Sequence, residues 1–181
     1  MKLHILLIGA SLLATVSISC GGGARGSGES LAKASLEAQP ISVDAEQVLL
    51  TGPQVDCGVK EELWEAPQQI GGRTTARLTQ NGRDLKFADD VSITEPGYTK
   101  PYVQVRGQFP VQVSEVGSIK DGPDGQTKIA QIKGGIVIQH ACFSTPLPLM
   151  GVKNGRFTHE VPPRFQFQPG DEKWTFEKLV H

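Results

Sequence analysis

Tyr102-Val103-Gln104-Val105-Arg106-Gly107-Gln108-Phe109-Pro110-Val111-Gln112-Val113-Ser114-Glu115-Val116 alternates apolar with polar side chains almost without interruption. A β-strand places successive side chains on opposite faces, so this pattern describes half-buried strands and fits no helix. It predicts two strands, Tyr102 to Arg106 and Phe109 to Val116, set around Gly107. In the second, Phe109, Val111 and Val113 face a core while Gln112 and Ser114 face solvent.

The same period continues outward in both directions, broken by turn residues at intervals of roughly 8–12 residues, as in antiparallel sandwiches and barrels. In the run Arg73 to Phe87, Asn81-Gly82 suits a two-residue type I′ turn that pairs Leu78 with Leu85 and Ala76 with Phe87. A second hairpin is expected from Phe165-Gln166-Phe167 to Trp174-Thr175-Phe176, turning at Pro169-Gly170. Further strands are expected over Thr127 to Ile132, after Asp121-Gly122-Pro123-Asp124-Gly125, and over Arg156 to Glu160, after a turn at Asn154-Gly155. Ile136 to Phe143 is apolar on both alternating faces, which predicts a central strand. The fold expected is all-β, a single antiparallel β-sandwich or small β-barrel over residues 41–181, beginning near Pro40.

Composition agrees with a packed domain. The chain has 181 residues, 38% hydrophobic and 20% charged, with 21 glycines and 12 prolines. That excludes a disordered or collagen-like chain. A formal net charge of -1 with no Lys/Arg run argues against nucleic acid as a partner.

Met1-Lys2-Leu3-His4 followed by the apolar run Ile5 to Val16 has the layout of an export signal over residues 1–19. The run is too short to span a bilayer, which takes about 20 residues. Val16-Ser17-Ile18-Ser19-Cys20 then resembles the lipobox of bacterial lipoprotein precursors, a likeness confined to the first 20 residues. It implies that Cys20 becomes the acylated N-terminus and holds the protein to a lipid bilayer of the cell envelope. Gly21, in place of the Asp that retains such proteins at the inner membrane of enteric bacteria, favours the outer membrane. Ser17-Ile18-Ser19 also suits the ordinary signal peptidase, so simple release is the alternative. Residues 20–40, rich in Gly and Ser at their start, read as a flexible linker.

Three cysteines are present. Lipidation of Cys20 leaves Cys57 and Cys142 as an even pair, and an exported protein meets an oxidising compartment, so a Cys57–Cys142 disulfide is expected. The rival is a thiol–imidazole site, because His140 and Cys142 would share one face of a strand. His140, His159 and His181 have no zinc-motif spacing. His159-Glu160-Val161-Pro162-Pro163 lacks the second His of a metalloprotease helix, and Asp121 to Gly125 has too few carboxylates for a calcium loop. No catalytic residue, metal or cofactor is therefore assigned.

Glu95-Pro96-Gly97-Tyr98-Thr99-Lys100-Pro101-Tyr102 presents two tyrosines in a stretch that prolines keep irregular. Tyr98 and Tyr102 are the candidate contacts to a partner. The functional expectation is a non-enzymatic envelope lipoprotein, whose β domain is a binding or structural accessory module for an envelope protein or glycan. Alternatives are an envelope enzyme built on His140 and Cys142, and a carrier of a small molecule or metal.

Overall fold

Antiparallel sheets dominate the computed structural model, which describes residues 27–97 and 100–181. The first sheet contains β1 (Ile41–Leu49), β2 (Gln68–Ile70), β3 (Arg73–Ala76), β4 (Val91–Thr94) and β5 (Tyr102–Phe109), in the order β1-β5-β4-β3-β2. After it come β6 (Val111–Asp121), β7 (Lys128–Ile136), β8 (Leu147–Pro148), β9 (Gly151–Lys153), β10 (Arg156–Thr158), β11 (Arg164–Gln168) and β12 (Thr175–Val180). The second sheet runs β12-β11-β7-β6, with β8 paired to the end of β7 beyond β11, and β9 and β10 form a separate hairpin.

The alternating stretch is the link between the two sheets. It breaks at Pro110, not at Gly107: proline has no N–H for a ladder, and the chain leaves the first sheet there to enter the second. Phe109 and Val111 on either side are both buried, so the alternation passes through the break unchanged. Val113 is buried, while Gln112 and Ser114 are exposed, as their parity predicts. Gly107 lies inside β5 with φ +131, beside a bulge in β1 between Val43 and Glu46.

The outer edge of β1 is stitched to the chain that follows β8. Val48 bridges Leu149, and the Met150 N–H donates to the Gln47 carbonyl at 3.0 Å. The sandwich is thus closed along one side. Its interior holds Val48, Val103, Ile132, Ile136, Phe165 and Phe167, all at most 2% exposed. Trp64, Phe87 and Phe143 form a cluster of rings whose centroids lie 5.6–6.4 Å apart.

Three helices flank the sheets. Helix α1 (Gly28–Glu37) is capped by Ser27 and buries Ala32 and Leu36 completely. A Glu37 carboxylate oxygen accepts from the Val113 N–H of β6 at 3.2 Å. The folded unit therefore includes a helix before Pro40, because packing stabilises a helix too short to persist alone. Of the linker expected over 20–40, residues 28–37 are helix; residues 1–26, with the export signal and Cys20, lie outside the described residues. Helix α2 (Gly52–Lys60) starts at a capping box, in which the Gln54 side chain accepts from the Thr51 N–H at 2.8 Å and the Thr51 hydroxyl from the Gln54 N–H at 3.4 Å.

Helix α3 (Gln80–Asp84) replaces the hairpin expected at Asn81-Gly82. The Thr79 hydroxyl caps α3 by accepting from the Gly82 N–H and donates to the backbone carbonyls of Glu62 and Leu63. Gly82 lies so close to the chain that a Cβ there would sit 2.2 Å from the Leu63 carbonyl oxygen. A turn does form at Asn154-Gly155, and its φ of +54 and +72 between β9 and β10 make it type I′. The β6–β7 hairpin and the β11–β12 pair are also as expected, although the second turn is longer than Pro169-Gly170 alone.

The strand expected over Ile136 to Phe143 ends at Ile136, after which Ala141–Phe143 forms one 3-10 turn. The His140 imidazole Nδ1 caps that turn, accepting from the Cys142 N–H at 3.2 Å. Cys142 is joined to Cys57 in a disulfide with Cα atoms 5.6 Å apart, which ties α2 to the second sheet's connection.

Candidate functional site

Strand register assembles a concave feature on the outer face of the sheets. Gln112 pairs with Gly135, Gly135 pairs with Pro148, and the Val48–Leu149 bridge sets Leu49 beside Pro148. Gln112, Gly135, Pro148 and Leu49 thus form one row across β6, β7, β8 and β1 on the face turned away from the core. Gly135 interrupts that row with no side chain, and the depression it leaves is the floor of a pocket of about 450 Å³. Close pairing imposes the glycine: a Cβ on Gly135 would lie 2.4 Å from the Leu147 carbonyl oxygen, and one on Gly134 would lie 2.6 Å from that of Gln112.

The walls are rigid. Val161-Pro162-Pro163 closes one side and Pro146 and Pro148 the other. The Pro163 carbonyl is held by the Ile132 N–H at 3.1 Å, which fixes this wall on β7. Pyrrolidine rings lose no rotamer freedom on binding, so such walls are preorganised. Among the lining residues there is no Phe, Tyr or Trp ring.

The charges at the rim are matched within the protein. Lys133 Nζ lies 2.6 Å from a Glu115 carboxylate oxygen, and Lys153 Nζ lies 2.8 Å from one of Glu160. The Lys153 ammonium holds the Glu160 carboxyl below its ordinary range. The Ser114 hydroxyl donates to the Lys133 carbonyl at 3.0 Å, and the Gln112 amide and the His159 imidazole complete the polar margin.

No family model, curated protein or solved structure matches this chain. The arrangement is therefore read from its own chemistry.

The sequence candidates fall in different places. Tyr102 pairs across β5 with Leu49, the end of the pocket row, and its hydroxyl donates to the Glu95 carboxylate, which also faces Arg73. Tyr98 lies outside the described residues. The Cys142 sulfur is bonded to Cys57, so the thiol–imidazole pair with His140 does not form. Nor do these two residues share a strand face, because the 3-10 turn intervenes. His159 is at the pocket margin, whereas His181, which follows β12, reaches β1, with Nε2 3.0 Å from a Glu46 carboxylate oxygen. Among the described residues no cluster of three His, Cys, Asp or Glu side chains is placed to hold a metal ion. Asp124 turns inward on its own loop, accepting from the N–H groups of Gln126 and Thr127, each at 2.9 Å, and from the Thr127 hydroxyl at 2.8 Å. Those bonds lower its pKa.

Glu46 is a carboxylate only 4% exposed within the first sheet. Burial raises its pKa above the ordinary 4.5; His181 opposes that shift and Asp44 adds to it. The folded chain then retains a proton that the unfolded chain releases, so stability falls as pH rises from about 4.5 through the raised folded value. Glu46→Gln carries no such penalty. Its thermal midpoint is expected to exceed that of the parent at about pH 7 and to match it at about pH 3, well below the ordinary carboxyl value, where both side chains are uncharged in the folded and unfolded states. Midpoints recorded across that range by circular dichroism check it, and a variant less stable at neutral pH would assign the His181 contact the larger effect.

Proposed function

We propose that this chain is an exported, lipid-anchored envelope protein whose β domain works by binding and not by covalent chemistry. The observation that carries this reading is the pocket: rigid aliphatic walls, a glycine floor and rim charges already matched within the protein. Those are features of a site that holds a ligand. The disulfide supports export, since such bonds persist in oxidising compartments. Among the described residues no helix is long and apolar enough to cross a membrane, so attachment to lipid in this reading falls to Cys20. Two or more acyl chains hold a protein to a bilayer durably, whereas one binds marginally.

Cys20→Ser tests the anchor. The parent is expected to sediment with membranes and to gain the mass of acyl chains, whereas the variant is expected in the soluble fraction with an unmodified N-terminus. A variant that stays on membranes would place the anchor elsewhere than Cys20, and a released parent without acyl mass would show that residues 17–19 serve as an ordinary cleavage site.

A further inference from the structure

The pocket on the outer face of β6, β7, β8 and β1 has a chemistry that narrows its ligand. We propose that it holds a single aliphatic chain bearing an uncharged polar head, of the monoacylglycerol type. This rests on the reading of the domain as a binding module and supplies its ligand class.

Three observations carry it. The walls are pyrrolidine rings, Leu49 and Val161, without a Phe, Tyr or Trp ring among the lining residues. Sugars and nucleobases bind by stacking on such rings, so this lining favours flexible methylene chains over flat ligands. Next, the cation on the floor side, Lys133, is engaged by Glu115 at 2.6 Å, and Glu160 is engaged by Lys153 at 2.8 Å. A carboxylate or phosphate head would have to break an existing pair to gain one. An uncharged head needs only hydrogen bonds, which the Gln112 amide and the Ser114 hydroxyl supply where the trough opens to solvent. Finally, about 450 Å³ is a preformed volume in the range of small-ligand sites, and its floor cannot be filled by the chain itself. Gly135 can carry no side chain there, because a Cβ would lie 2.4 Å from the Leu147 carbonyl oxygen.

The test uses the full chain carrying Cys20→Ser, so that the result does not depend on lipidation. Titration calorimetry with 1-monodecanoylglycerol below its micelle concentration is expected to show saturable binding of one molecule per chain. Affinity should fall by about fourfold for each methylene removed from the tail. Decanoate, with the same tail and a charged head, should bind at least about tenfold more weakly. Ser114→Phe, at an exposed floor position, should abolish binding without lowering the thermal midpoint, whereas Ser42→Phe, exposed on β1 outside the pocket, should leave it intact.

Three outcomes overturn the proposal. If decanoate binds more tightly, the site selects an anion; the binding-module reading survives and the ligand class does not. If binding persists in a folded Ser114→Phe chain, the ligand sits elsewhere. If neither probe saturates, the aliphatic assignment fails, while the anchor continues to stand or fall on the membrane fractionation of Cys20→Ser.

Discussion

Trp64→Ala is expected to remove about 3–5 kcal/mol from the unfolding free energy, the usual cost of emptying a buried aromatic site. Trp64 is 1% exposed and packs against Phe87 and Phe143. Its indole N–H donates to the Val55 carbonyl at 3.0 Å, and the ring lies flush on the backbone of Gly58, where a Cβ would fall 2.0 Å from the indole Cζ2. The truncation therefore opens a cavity and strips a carbonyl of its partner in the same step. Because small domains have about 5–15 kcal/mol in total, a large share of the stability would be lost. Urea midpoints of the parent, Trp64→Ala and Trp64→Phe check it. The phenylalanine variant keeps most of the contact but lacks the N–H, and should fall between the other two. An alanine variant within about 1 kcal/mol of the parent would mean that the cluster collapses around the gap.

Opening the disulfide is expected to rank next, at about 2–4 kcal/mol. The bond spans 85 residues of sequence, so reduction releases a long loop into the unfolded ensemble. Cys57→Ala with Cys142→Ala, compared with the parent with and without reductant, should show a lower urea midpoint in both reduced and double-alanine forms. Equal midpoints in all of them would place the stabilisation in the surrounding contacts. The two experiments also interact: Phe143 touches Trp64 and follows Cys142, so losses from Trp64→Ala and from the open disulfide should not add.

Two Asn-Gly pairs show what local reading captures. Asn154-Gly155 makes its type I′ turn because the strands on either side are three residues long and nothing else competes for the pair. Asn81-Gly82 has the same local chemistry and sits in a helix, because Thr79 is recruited by the Glu62 and Leu63 carbonyls and Gly82 is pressed against Leu63. Those partners are distant in sequence from Gly82, and no window around it contains them. Alternation in Phe109 to Ser114 was legible for the opposite reason: one buried face enforces parity whatever the partner strand. The helix at Gly28–Glu37 was legible only as about two turns over Leu31 to Ala38, marginal alone, because its stability comes from burying Ala32 and Leu36 and not from its own propensity.

The pocket was the least legible feature. Gly134-Gly135, Pro146, Pro148, Pro162 and Pro163 are spread along the sequence with no motif to join them. They converge only when the registers of β6 with β7, β7 with β8 and β8 with β1 are combined. Of the two tyrosines singled out from sequence, Tyr102 comes to the end of this row beside Leu49, while its hydroxyl is engaged by Glu95. Tyr102 therefore neighbours the concave face without lining it.

Helix α1 also sets a distance. If Cys20 carries the acyl chains, about eight residues separate the bilayer from the first packed turn at Gly28, in place of a linker of twenty. Fully extended, they reach roughly 27 Å. The domain is then confined to a shell about its own diameter deep above the headgroups, and within that shell membrane lipid is present at a high effective concentration. A pocket of modest intrinsic affinity would stay occupied there and would empty once the domain was cut free.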